Sequence, residues 1–269
     1  MFNRRVVCLA MALAASVACR DTPGGPTGSD GIPGFTLVGD PASSSGATWT
    51  YVAQDYDLQG ILLKPAGAGP FPAVIISHGR GQSAGGYSLD VARVMVGWGL
   101  VCIATNYTFA GGVPIGAPGT SLEASTSPNN VRRARQLVGV LRGLGYVDMN
   151  RVALHGHSAG AFVTELTAAA HPDLFRAASH TAGGIASDEA LYPPTESEIA
   201  TIRAPYQIHH GDRDLSVPLV ADELFAAALS RRGVANELLT YPGAGHDEVS
   251  LDPVVLNLIR AWYRSKGVL

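Results

Sequence analysis

Apolar residues in this chain fall into short strand-like runs separated by helix-forming stretches, and the regular alternation of the two suggests the architecture. Apolar, strand-like runs at 73–77, 100–106, 151–155, 175–180, 206–209 and 237–241 predict strands, and helix-forming stretches at 86–96, 129–144, 159–170, 219–231 and 252–262 predict helices. Strand then helix, repeated, implies an α/β chain with a doubly wound, mostly parallel sheet and helices on both faces. Two earlier runs, 47–52 and 58–63, read as an antiparallel pair. The folded part is expected to begin near Phe35. The connections 107–128 and 181–202 are rich in Gly, Pro, Ser and Thr and lie where loops would roof a cleft and select substrate.

Composition narrows the partners. A net charge of −3 with 15% charged residues provides neither a basic stripe for nucleic acid nor an acidic tail, which leaves a small or neutral substrate. The 269 residues fit one large domain, with no internal repeat. At the N-terminus Arg4 and Arg5 precede an apolar run too short to span a bilayer, then the small residues Ser16-Val17-Ala18, so 1–18 reads as an export signal. Cys19 follows, as in a bacterial lipoprotein box, although Ser16 departs from the leucine usual at the first position of that box. Cleavage by an ordinary signal peptidase is the alternative. The expectation is therefore a signal over 1–18, a flexible tether over 19–34, lipid-anchored at Cys19, and a catalytic domain over 35–269. Cys102 lies in an apolar strand and reads as a buried, inert thiol rather than a nucleophile.

The chemistry sits at strand ends, where open α/β sheets bind ligands. Gly156-His157-Ser158-Ala159-Gly160 follows a strand and precedes a helix, the setting in which a serine nucleophile is mounted on a sharp turn. A serine hydroxyl needs a base, and His246 lies in a glycine loop after the last strand. Two aspartates, Asp212 and Asp214, follow an earlier strand; either could orient the imidazole, and either could instead cap a turn. The oxyanion donors are expected to be the backbone N–H groups of Ala159, at a helix N-terminus, and of Arg80, in the loop after 73–77. His155, His157, His209 and His210 form no zinc-like set with cysteines or an HExxH helix, so no metal site is expected and these histidines are assigned to packing or the cleft wall.

Four segments in this order resemble the α/β-hydrolase superfamily, and within it the dienelactone-hydrolase-like small esterases. They are Gly69 through Gly79, Asp148 through Gly160, His210 through Pro218, and Gly245-His246. The likeness extends from Tyr56 to the C-terminus. It implies a triad of Ser158, Asp214 and His246, with Asp214 favoured by the spacing Gly211-x-x-Asp214-x-x-Val217-Pro218. Dienelactone hydrolases proper carry a cysteine nucleophile, so Ser158 does not imply a dienelactone substrate. Polyester hydrolases of the cutinase type look partly similar, but Ala159 and the missing cysteine pair depart from their pattern.

The resulting expectation is an exported, monomeric serine hydrolase that cleaves carboxylic esters, small or polymeric, through an acyl-enzyme. It needs no cofactor and meets the membrane only through the lipid on Cys19. Two alternatives stand beside it. One is a serine peptidase of the prolyl-oligopeptidase clan; the other is an inactive surface binding protein on the same scaffold.

Overall fold

The computed structural model describes residues 32–52, 57–111, 124–185 and 192–269. The expected signal, Cys19 and nearly all of the tether lie outside these residues, as do parts of both roofing connections. Three strands come first: β1 (Phe35–Val38), β2 (Ala47–Val52) and β3 (Asp57–Leu63). Then β4 (Phe71–Ser77), α1 (Leu89–Val96), β5 (Val101–Thr105), α2 (Pro128–Gly143), β6 (Val147–His157) and α3 (Ala159–Ala170) follow. The chain finishes with β7 (Phe175–Thr181), β8 (Tyr206–Gly211), α4 (Leu219–Arg231), β9 (Asn236–Tyr241) and α5 (Pro253–Ser265).

All nine strands join one sheet in the order β1-β2-β3-β5-β4-β6-β7-β8-β9. The six from β5 to β9 run parallel, and β1 to β3 form an antiparallel flank attached through β3 to β5. Side chains of a strand alternate between faces, and β4 displays this directly. Ala73 and Ile75 pack with Leu137 and Leu141 of α2, Ala168 of α3 and Phe225 of α4. Val74 and Ile76 pack on the other side with Met95 of α1 and Ile259 of α5. Burial on both faces is what turns the central strands into unbroken apolar runs.

Several boundaries differ from the sequence expectation, each for a local reason. β1 was not anticipated: it is four residues long, and its alternation is visible only once Phe35 stacks on Trp49 with ring centroids 5.7 Å apart. The helix expected from 86 begins at Leu89, because Ala84–Ser88 forms a wide turn in which Gly86 leaves helical geometry (φ −103°, ψ −107°). β6 starts at Val147, where Phe71 N–H donates to the Tyr146 carbonyl and draws the edge of the strand into register. β8 runs on to Gly211, which places both His209 and His210 inside the strand, and α5 reaches Ser265.

Candidate active site

At the C-terminal end of β6 the chain turns into α3 within one residue, and that residue is Ser158, held at φ 55°, ψ −125°. Such a backbone is strained for any side chain and persists only where the surroundings enforce it. Gly156 and Gly160 are those surroundings. A Cβ on Gly156 would strike the Gly160 carbonyl and the Thr164 hydroxyl, and one on Gly160 would strike the carbonyls of Ser77 and His78. Helix α3 therefore sits directly against β4 and β6, and the serine is driven out of the turn.

The Ser158 hydroxyl lies 2.8 Å from His246 Nε2, and His246 Nδ1 lies 2.6 Å from Asp214 Oδ2. The other oxygen of Asp214 accepts the N–H groups of Ser216 and Val217, each at 2.8 Å. Burial by itself would raise the Asp214 carboxyl, but hydrogen bonds from His210, His246 and the Val217 amide pull it well below the usual carboxylate range. Asp214 is thus an anion facing an imidazole. Asp212 has a different task. Its Oδ1 accepts the Gly243 N–H at 2.7 Å, and Arg213 N–H donates to the Ala244 carbonyl, so this segment tethers the loop that carries His246. Of the two aspartates, Asp214, favoured by the family's spacing, is the one hydrogen-bonded to His246.

These groups open on a cavity of about 330 Å³, lined also by Gly79, Arg80, Ala159, Phe162 and Val217. The loop after β4 that forms one wall is pinned at several points. Gly79 N–H donates to the Gln82 side chain at 2.8 Å, and Gly81 N–H to the Phe109 carbonyl at 2.9 Å. His78 beneath it faces the Gly79 carbonyl with Nδ1 (2.9 Å) and accepts the Tyr107 N–H at Nε2 (3.2 Å), which suits a neutral ring. Burial pulls His78 down to about 4, so it remains neutral at ordinary pH.

Of the histidines assigned to packing or the cleft wall, three behave so. His155 bonds Ser179 and Tyr87, and His209 bonds Gln207 and Tyr241. His157 lines the cavity with its ring centroid 4.9 Å from that of His246. The fourth corrects the expectation: His210 belongs to a buried ionic cluster, 2.6 Å from Asp222 Oδ2 and 3.4 Å from Asp214 Oδ2. Sequence reasoning passed over Asp222, His180 and Glu165, which complete that cluster. Two groups of His and carboxylate donors converge, His157–His246–Asp247 at the rim and Glu165–His180–Asp222 inside. Both ring nitrogens of His246 are committed to Ser158 and Asp214, and both oxygens of Asp222 to histidines, so hydrogen bonding accounts for these central donors without a metal. The cysteine of the body, Cys102, is buried in β5 and its thiol is raised by that burial, leaving it inert.

Comparison with known proteins identifies the fold and the family. A curated Escherichia coli (strain K12) protein, provisionally named carboxymethylenebutenolidase, is 34% identical over 101 residues, a match covering 37% of each chain. The thermophilic esterase of Thermogutta terrifontis, solved with propionate bound, superposes with a TM-score of 0.64 at 20% identity, over 88% of this chain and 96% of that one. The acylaminoacyl peptidase of Pyrococcus horikoshii does so with a TM-score of 0.68 at 16% identity, over 87% of this chain and 42% of that one. Both structural likenesses carry the α/β-hydrolase fold, and the sequence model of one family within it matches residues 58–247, from β3 through the loop that holds His246. With most of its length and every strand-end segment of the cavity inside that match, the chain belongs to the dienelactone hydrolase family of hydrolases.

Proposed function

We propose that the protein is a serine carboxylester hydrolase working through Ser158, His246 and Asp214. The observation that carries this reading is the unbroken hydrogen-bonded line from the Ser158 hydroxyl through His246 to the ionised Asp214, opening on a cavity. Ser158 Oγ attacks the ester carbonyl while His246 Nε2 takes its proton, and Asp214 stabilises the imidazolium so formed. The carbonyl oxygen becomes an oxyanion held by the N–H groups of Arg80 and Ala159, the first on the pinned loop after β4, the second at the start of α3. Collapse expels the alcohol, protonated by His246. A water deprotonated by His246 then cleaves the acyl-enzyme, giving the carboxylic acid and returning the proton to Ser158. The propionate bound by the Thermogutta esterase, a short carboxylate, is the kind of product such a site releases.

Ser158→Ala is expected to lower turnover of short p-nitrophenyl esters by roughly 10⁴- to 10⁶-fold and to abolish labelling by a fluorophosphonate. Undiminished ester hydrolysis by that variant would overturn the assignment. The likeness to the acylaminoacyl peptidase supports a second reading, hydrolysis of peptides, which peptide anilides assayed beside the esters would reveal; this chain spans 42% of that peptidase. If folded wild-type protein takes up no fluorophosphonate, the scaffold is a binding protein instead.

The same proposal covers location. We read 1–18 as an export signal, and Cys19 as the lipid-bearing N-terminus of a cell-envelope protein. Mass spectrometry of the mature protein should find a diacylglyceryl group on Cys19, and an unmodified N-terminal Cys19 would overturn the anchor.

A further inference from the structure

Behind Asp214, four more ionisable side chains from four different elements stand in continuous contact. His210 lies in β8, Asp222 in the first turn of α4, His180 in β7 and Glu165 in α3, and all are fully buried. His210 Nε2 is 2.9 Å from the Val217 carbonyl and 3.4 Å from Asp214 Oδ2, while its Nδ1 is 2.6 Å from Asp222 Oδ2. Asp222 Oδ1 is 2.7 Å from His180 Nε2. His180 Nδ1 is in turn 3.1 Å from the Tyr206 hydroxyl and 3.2 Å from Glu165 Oε1. A single line therefore runs from Ser158 through His246, Asp214, His210, Asp222 and His180 to Glu165.

The partners of its middle member constrain its charge. A carbonyl oxygen only accepts, so His210 Nε2 carries a hydrogen toward Val217. Asp222 Oδ2 faces His210 Nδ1 and also accepts the Gly183 N–H at 3.2 Å, while its other oxygen faces His180. Burial would raise Asp222, but His180 and His210 pull its carboxyl down to about 2; as a carboxylate it accepts at both oxygens, so His210 donates from Nδ1 as well and is an imidazolium. Burial would lower His210, but hydrogen bonds to Asp214 and Asp222 reverse this and push it up to about 10. Glu165 goes the other way. Burial and the charge of Asp222 raise its carboxyl well above the usual range, and its Oε1 accepts the Gly184 N–H at 2.8 Å.

We propose that His210 is a positioning residue for the serine array: a buried imidazolium, clamped by Asp222, that supports the Asp214 carboxylate from behind and offsets its charge. The proposal rests on the catalytic reading of Ser158, His246 and Asp214. Two imidazoles share Asp214 Oδ2, and the cation on the inner side opposes protonation of the outer one. The charged and titratable groups facing His210 are Asp214 on its own loop, Asp222 from α4, His180 from β7, and, beyond them, His246, Glu165 and Tyr206. The two nearest are the carboxylates.

The direct test is nitrogen-15 NMR of histidine-labelled Ser158→Ala protein, with His210→Gln used to assign the signal. Both ring nitrogens of His210 are expected to stay protonated between pH 5.5 and 8.5; a neutral ring in that range overturns the proposal. The functional test is the pH dependence of the fluorophosphonate labelling rate. Asp222→Asn removes the clamp, and the acid limb of the profile should move to higher pH by roughly one unit. A merely structural role would lower stability and leave the limb in place, which also overturns the proposal. If Asp222→Asn does not fold, the charge-balanced double variant Asp222→Asn/His210→Gln serves and should show the same shift. A wild-type protein that takes up no label removes the catalytic reading instead, and normal labelling with an unmoved limb removes the role of His210 alone.

Discussion

His209 and His210 are neighbours on β8, equally buried, yet the two faces of one strand leave the first neutral and the second a cation. On the side of α5, His209 meets the Tyr241 hydroxyl at 2.6 Å and the Gln207 side-chain oxygen at 3.0 Å. One of these can donate and the other accept, so a neutral ring is fully satisfied, and burial together with the charge of His180 pulls His209 down to about 3. On the side of α4, His210 meets only acceptors and is driven the other way. Residue type and depth are the same in both cases; the partners decide. One face of β8 is packing, and the other leads through Asp214 and His246 to Ser158.

The most severe way to break this comparison is to cut the active face at its outlet. Asp214→Asn keeps the shape but removes the anion between the two imidazoles, and kcat on short esters should fall roughly 10³- to 10⁴-fold. A loss below tenfold would show that the face leading to Asp214 does no catalytic work. Asp212→Asn, which touches the loop rather than the ring, should cost much less than Asp214→Asn in the same assay.

A smaller and sharper test uses stability in the inert Ser158→Ala background, measured by urea unfolding against pH. His210 is raised from 6.5 to about 10, so its contribution is complete below pH 6.5 and is lost as pH climbs to about 10. His209 is lowered from 6.5 to about 3, so the folded state resists its protonation and stability falls as pH drops below 6.5. Substituting glutamine at 210 should flatten the alkaline decline. At 209 it should reduce the acid slope above pH ~4.5, by up to ~1.4 kcal/mol per pH unit. His78, His155 and His157 are lowered too, so an acid slope remains. If both variants change the same limb, the two faces do not differ in charge.

Much of this fold was readable from the chain because the central strands, buried on both sides, are short apolar runs, and the stretches between them are long enough and rich enough in helix formers to be helices. α3 and α4 fall on the stretches that the pattern marks, Ala159–Ala170 and Leu219–Arg231. Ser158, His246 and Asp214 were readable because each lies just past a strand end and local glycines announce the turn. β1 was not, since four alternating residues beside a Gly- and Pro-rich segment resemble loop. The inner ionic cluster left no mark either. His180 and Asp222 meet from positions 42 residues apart, on a strand and a helix, and no spacing rule links them. His210 was misjudged for the same reason, because the acceptors that charge it come from α4 and from the turn after its own strand.

Ser158 itself carries one more implication. Its φ of 55° is imposed by Gly156, Gly160 and the carbonyls of β4, groups that come together only when β4, β6 and α3 are already packed. An unfolded or half-folded chain has the serine but not the turn that presents it. On the catalytic reading proposed above, covalent labelling at this position therefore counts molecules in which β4, β6 and α3 have already packed.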